Sequence, residues 1–334
     1  MRRRTMKLRE LGEFGLIERI RKIVPMGQGV RLGIGDDAAW IRCQQKSLLF
    51  TSDLLLEGVH FDLRWTSFYT LGYKTLAVNL SDIAAMGGRP SYLALSLGIP
   101  VDFEVKDVEE FYRGIVDLSS QCGVSLVGGD TSASKRFFIS AALMGFAPYG
   151  PILRNGAKVG DDLYVTGTLG DSALGLKLLK KRRPSLTHRE ATYLVSRHLA
   201  PTARLKAGAV LARKKLAKAM IDVSDGLVQD LNHLCQASKV GAIVREESLP
   251  LSRAYRRSPE RRGILEALTG GEDYELLFAV RPRDRGRLKK VERSLGVPVT
   301  RIGKCVPPAE GVKVLDPRGE PRPLSVLGYD HFHD

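Results

Sequence analysis

Five short segments place aspartate beside glycine or hydroxyl residues. They are Gly33-Ile34-Gly35-Asp36-Asp37, Thr51-Ser52-Asp53, Asn79-Leu80-Ser81-Asp82, Gly128-Gly129-Asp130-Thr131 and Asp222-Val223-Ser224-Asp225-Gly226. Carboxylate and hydroxyl oxygens suit hard cations such as Mg²⁺, which takes few protein carboxylates and bridges to substrate phosphates. Aspartate and glycine are also ordinary turn residues, so each segment taken singly reads as structural. Five of them, four within the first 131 residues, point instead to a phosphate-handling metal site. Asp82 strengthens that reading because it interrupts an apolar helical pattern, where an unpaired carboxylate would be costly. A salt bridge or a helix cap is the plain alternative there.

Other phosphate-binding patterns fit less well. Gly33-x-Gly35-x-x-Ala38 formally matches a dinucleotide fingerprint, with Asp53 near the distance for a ribose contact. Asp36 and Asp37 would then face the pyrophosphate, a repulsion that only a metal relieves. The segment that follows also reads as a strand, not as the helix that should receive the phosphates. No GxxxxGK[ST] loop and no protein-kinase signature is present. Phosphates bound here would rest on metals, backbone amides and an arginine such as Arg154.

The elements that position these residues alternate. Residues 31–41 and 47–53 read as strands joined through a glycine turn. Residues 70–86 carry Leu71, Leu76, Leu80 and Ala84 at helical spacing and stop at Gly87-Gly88. A second helix covers 108–122, and strands follow at 125–127 and 137–146. A Gly/Pro-rich turn at 148–150 marks a boundary, giving domains 1–148 and 149–334. In the second, strand 163–166 leads through 167–170 into helix 172–181. Strand 220–223, helix 227–238, strand 242–245, strand 276–280, helix 287–295 and strand 300–305 continue the alternation. Two domains of mixed α+β and α/β character are expected.

Composition narrows the class. At 334 residues the chain can build two cores. No apolar run approaches the ~20 residues needed to span a bilayer, and the basic start MRRRTMKLREL lacks a signal-peptide core. A cytoplasmic protein without membrane association is expected. Cys43, Cys122, Cys235 and Cys305 are scattered and read as free thiols. The net charge of +15 invites a nucleic-acid partner. Its clusters, however, fall on or between helices without interleaved aromatics, so solvated helix faces explain most of it and no nucleic acid is expected. The basic stretch 253–262 matches no motif.

In order along the chain, GEFGLI (12–17), GIGDDAA (33–39), TSDLLLEGVHF (51–61), KTLAVNLSDIAAMG (74–87), LVGGDT (126–131), VTGTLGDSALGL (165–176), IDVSDGL (221–227), GGEDYEL (270–276) and GYDHF (328–332) resemble the thiamine-monophosphate kinase family. That family belongs to an ATP-binding superfamily with aminoimidazole ribonucleotide synthetase, selenophosphate synthetase and a hydrogenase-maturation protein. The resemblance covers nearly the whole chain.

It implies an N-terminal α+β sheet domain that pairs with a second subunit, a C-terminal mixed α/β domain, and ATP between them. By motif position, Asp37, Thr51, Ser52, Asp53, Asp82, Asp130, Asp222 and Asp225 would hold several Mg²⁺ ions, with Asp53 and Asp130 the catalytic pair. Tyr112, Gly129, Asp130, Arg154 and Ser224 would contact ATP. His60, Glu272 and a terminal aromatic, Tyr329 or Phe332, would contact thiamine monophosphate. His60 without the resemblance reads as structural. The implied reaction is direct phosphoryl transfer from ATP to thiamine monophosphate in a homodimer. Among enzymes of the superfamily, a selenophosphate synthetase should carry a reactive cysteine in a glycine-rich N-terminal segment, and none precedes Cys43. For an aminoimidazole ribonucleotide synthetase, GIGDDAA together with GGEDYEL is the poorer fit.

Overall fold

The computed structural model describes residues 18, 30–32, 35–43, 46–180, 186–323 and 328–329. Twelve described strands form two six-stranded sheets. The first comprises β1 (Val30–Leu32), β2 (Ala39–Cys43), β3 (Lys46–Leu56), β4 (Arg89–Ile99), β5 (Ser125–Ala133) and β6 (Phe138–Phe146), in the order β1-β2-β3-β6-β4-β5. All its pairs are antiparallel except β4 with β5. The period-two burial of β6 leaves one face buried and one half-exposed.

Two helices cover the buried face. α1 (Phe68–Ala85) begins where Ser67 caps it, its hydroxyl accepting from Thr70 N at 3.1 Å. α2 (Val105–Cys122) buries Phe111, Gly114, Ile115 and Leu118 at helical spacing and stops at Gly123, which takes the left-handed conformation. The two helices cross closely. A Cβ on Gly72 would lie 1.9 Å from the Phe111 carbonyl oxygen, and one on Gly114 would lie 1.9 Å from that of Tyr69.

The second sheet comprises β7 (Asp162–Thr166), β8 (Ala217–Asp222), β9 (Gly241–Arg245), β10 (Leu276–Val280), β11 (Val299–Val306) and β12 (Val312–Leu315), in the order β12-β9-β11-β7-β10-β8. Only β12 and β9 run parallel, so the alternation of strands and helices builds an antiparallel sheet here. Its helices are α3 (Asp171–Lys180), α4 (His188–Leu199), α5 (Leu205–Arg213), α6 (Leu227–Ser238), α7 (Arg253–Arg257), α8 (Leu265–Thr269) and α9 (Arg285–Leu295). Residues of α3, α4, α6 and α8 share one core with inward positions of the sheet. The other core takes in α5 and α9 and also Ala84 and Ala85 from the end of α1. Through that contact α1 joins the two sheets. No described helix is long and apolar enough to cross a membrane.

Candidate active site

Four of the five acidic segments meet where β3, α1 and the end of β8 come together. Asp37, Asp82 and Asp222 each offer a carboxylate oxygen within 4.8 Å of the others. Thr51 on β3 donates its hydroxyl to Asp82 Oδ2 at 2.5 Å, and Ser81 on α1 donates to Asp222 Oδ2 at 2.6 Å. Arg154 closes the group from the other side, with Nε and Nη2 each 3.1 Å from a different oxygen of Asp37. Its backbone N–H donates to Asp36 Oδ2 at 3.0 Å.

Carboxylates packed this closely resist ionisation. Burial, then the neighbouring Asp53, Asp222 and Asp37, holds the Asp82 carboxyl well above the usual carboxylate range. Burial and Asp37 do the same to Asp222. Burial raises Asp53 to about 6, and burial with Asp37 raises Asp36 to about 7. Burial works against the charge on Arg154, but Asp37, by charge and hydrogen bond, and Asp36 overcome it and hold the guanidinium protonated. Only protons or cations can neutralise such a group, and its oxygen-only donors fit Mg²⁺.

Beyond Asp222 the chain turns sharply into α6. The N–H groups of Ser224, Asp225 and Gly226 all donate to Asp230 Oδ2 at 3.1 Å, so one buried carboxyl fixes the loop. Tyr329 lies against it, its N–H donating to the Asp225 carbonyl at 3.1 Å. The neighbouring strand returns from Glu272, whose φ of 67° and N–H bond to the Ser224 carbonyl at 2.7 Å set its direction. Lys74 Nζ lies 2.7 Å from Glu272 Oε1, and His198 Nδ1 lies 3.0 Å from Oε2. Burial opposes the charge on Glu272, but Lys74 and His198 outweigh it and hold its pKa below the usual carboxylate range.

Residues 35–147 match the family described as AIR synthase related protein, N-terminal domain, and residues 158–315 match its C-terminal domain. The thiamine-monophosphate kinase of Escherichia coli (strain K12) is 43% identical over 325 residues, 96% of this chain and 98% of that one. The Aquifex aeolicus (strain VF5) enzyme of the same name is 41% identical over 330 residues, 98% of this chain and 100% of that one. The chain belongs to the thiamine-monophosphate kinase family. The solved structure of AaThiL complexed with AMPPCP and TMP superposes with a TM-score of 0.86 at 38% identity, covering 98% of this chain and 99% of that one.

For a thiamine-monophosphate kinase family member, the expected site residues are unevenly placed. Asp37, Thr51, Asp82 and Asp222 come together, with Asp53 close enough to perturb Asp82. Asp53 is not at a strand end as expected, because β3 runs on to Leu56. Ser52 alternates to the outward, exposed face of β3, so its side chain does not join the cluster. Asp130 is exposed on the edge strand β5, three strands from β3 and thus ~14 Å across the sheet. Its Oδ1 accepts from Thr131 N at 2.8 Å. Gly129 is needed for packing, since a Cβ there would lie 1.6 Å from the Leu95 carbonyl oxygen. Tyr112 is half-buried on α2, edge-on to Phe111. His60 follows β3, its Nδ1 accepting from Leu56 N at 3.0 Å. Phe332 lies outside the described residues.

Sequence reasoning passed over Lys74, His198 and Asp230. Lys74 had a usable signal, a lysine two turns before Asp82 on the same apolar helix. Asp230 had a weaker one, four residues into the helix after Gly226. His198 had none, since its partner is far away in sequence.

Proposed function

We propose that this chain transfers the γ-phosphoryl group of ATP to thiamine monophosphate, giving thiamine diphosphate and ADP. The observation that carries this reading is the group Asp37, Asp82 and Asp222, two of them buried and Asp82 half-buried, which holds mutually repelling carboxylates within 4.8 Å. That arrangement suits a site whose working state contains cations and phosphates.

Asp37, Asp53, Asp82 and Asp222, with Asp225 on the adjoining loop, would hold Mg²⁺. When bound, those ions supply charge neutralisation between the two polyanionic substrates. Arg154 uses Nε and Nη2 on Asp37, leaving Nη1 for an ATP phosphate. His60 Nδ1 accepts from the backbone, so the ring proton sits on Nε2, and by motif position His60 would contact thiamine monophosphate. Glu272, fixed by Lys74 and His198, and Tyr329 form the other side of the substrate site. A phosphate monoester has its second pKa near ~6, so the attacking oxygen is anionic at neutral pH and needs no protein base. Positioning and charge neutralisation then carry the catalysis.

We assign the boundary between the two domains to residues 148–149. We also assign the exposed face of the first sheet to a second copy of the chain. Among the described residues, helices cover only the other face, and Phe50, Met144 and Tyr92 form one cross-strand row on the outside. Phe50 is 39% exposed, Tyr92 45% and nearby Leu54 55%. An apolar face of that kind marks an interaction surface. We also assign the enzyme to the cytoplasm, where ATP is supplied.

The test is product identification after incubation with Mg-ATP and thiamine monophosphate. Equimolar ADP and thiamine diphosphate support the reading. ATP hydrolysis without thiamine diphosphate, or AMP as the nucleotide product, contradicts it.

A further inference from the structure

The second domain carries a cleft of about 990 Å³ that the proposed reaction does not use. Arg197, Arg204, Arg256 and Arg301 line it, against one acidic side chain, Glu247, while Leu251 and Val297 supply apolar wall. Arginines are usually neutralised one for one when partly buried, but here they outnumber their partners. Buried Glu275 serves both Arg197 and Arg204, and buried Asp162 serves both Arg285 and Arg301. Two further carboxylates near Arg197 are already engaged, Asp273 by the N–H groups of Gly170 and Ser172 and Asp171 by the hydroxyls of Thr168, Tyr193 and Ser252. No described residue pairs with the Arg256 side chain.

These pairings also aim the arginines. Arg204 uses Nε and Nη2 on Glu275, and Arg301 uses Nε on Asp162 at 2.6 Å. Nη1 of Arg204 and both Nη groups of Arg301 find no acceptor among the described residues. Arg197 is only 9% exposed and sends Nη2 to Glu275 and to the Asp273 carbonyl, yet its buried Nε also lacks an acceptor among the described residues. A buried N–H without an acceptor is unfavourable. Rigidly held guanidinium groups with spare donors are suited to planar recognition of phosphate oxygens.

We propose that this cleft is a second anion site, taking a small phosphorylated molecule whose phosphate rests among Arg197, Arg204, Arg256 and Arg301 and whose apolar part lies on Leu251 and Val297. Arg256 belongs to α7, so part of the basic stretch 253–262 gains a role here. The site is distinct from the aspartate cluster. His198 faces Glu272, whereas its neighbour Arg197 reaches the Asp273 carbonyl and Glu275.

The experiment is calorimetric titration of the full chain with inorganic pyrophosphate in EDTA. Without divalent cations the aspartate cluster repels phosphate, while the arginine cleft needs no metal. One pyrophosphate per chain is expected. Arg256→Glu, at an exposed side chain, and Ser248→Glu, in the cleft wall, should each weaken binding by about tenfold or more. Magnesium-dependent turnover at saturating substrates should stay at the parent level, which also shows that the variants are folded. Absence of saturable binding by the parent, or equal binding by parent and both variants, overturns the proposal. If a single-stranded oligonucleotide displaces pyrophosphate and binds more tightly, the small-molecule reading also fails.

Discussion

Asp53 and Asp82 show how one residue can be costly for the fold and necessary for the chemistry. Asp82 lies within a largely buried helix, where burial and the like charge of Asp53 both disfavour its ionised form. Removing one of these charges should help the metal-free fold and harm the reaction. Asp53→Asn is expected to lower kcat by ~10²–10³-fold, the scale for losing one transition-state charge contact, without lowering the melting temperature in EDTA. Near-parent turnover in a folded variant would remove Asp53 from the site. His60 tests the absence of a protein base. Its Nδ1 is occupied by Leu56 N, which makes the ring a donor, so His60→Asn should raise KM for thiamine monophosphate and leave the pH–rate profile unchanged in shape. Collapse of kcat with loss of one limb of that profile would assign His60 as base.

At the scale of elements, the loop 224–226 depends on a single acceptor. Asp230→Ala strips three N–H groups of their partner and should cost about 2–3 kcal/mol, read by denaturant unfolding, with KM for ATP rising as the loop loosens. An unchanged midpoint and KM would show that the loop holds itself. The outward face of the first sheet gives a second test. Leu54→Glu with Tyr92→Glu should convert a dimer to a monomer in sedimentation, while a parent that is already monomeric and active removes the dimer reading. The long helix α1 was legible from its leucines and the glycine pair after it. Strand ends were less so. Aspartate and glycine are depleted in strands, so the sequence ends one strand at Asp53 and another before Gly128-Gly129, although β3 and β5 continue through them. β4 was passed over, its start masked by the punctuation of Gly87, Gly88 and Pro90. The grouping of Asp37, Asp82 and Asp222 was legible as a residue type in repeated surroundings. The Lys74–Glu272–His198 contacts were not, because nothing local reports a partner that distant along the chain.

Across the whole molecule, the raised carboxyl groups link stability to protons and metal. Burial raises Asp273 to about 8, while Asp36 stands near 7 and Asp82, Asp222 and Asp230 are pushed well up. Unfolded aspartates titrate near ~3.9, so at neutral pH the folded chain holds protons that the unfolded chain has released. Stability from these groups is therefore fully present below the unfolded value and is lost as pH rises through the folded values. His198 and His233, lowered by burial, act in the opposite sense, but their effect is complete near the unfolded histidine pKa of ~6.5. The melting temperature in EDTA should thus fall between about pH 7 and pH 8.5. Mg²⁺ should raise it, and by more at the upper end, because cations replace protons there. A metal-free melting temperature that climbs across this window would contradict the linkage. The most direct measurement of the central claim follows the γ-phosphoryl group itself. With γ-labelled ATP, Mg²⁺ and thiamine monophosphate, the label should appear in thiamine diphosphate one for one with ADP, stop on chelation, and never remain on the denatured protein. Stoichiometric label on the protein, or transfer that persists in EDTA, would contradict direct transfer at a cation-filled carboxylate site.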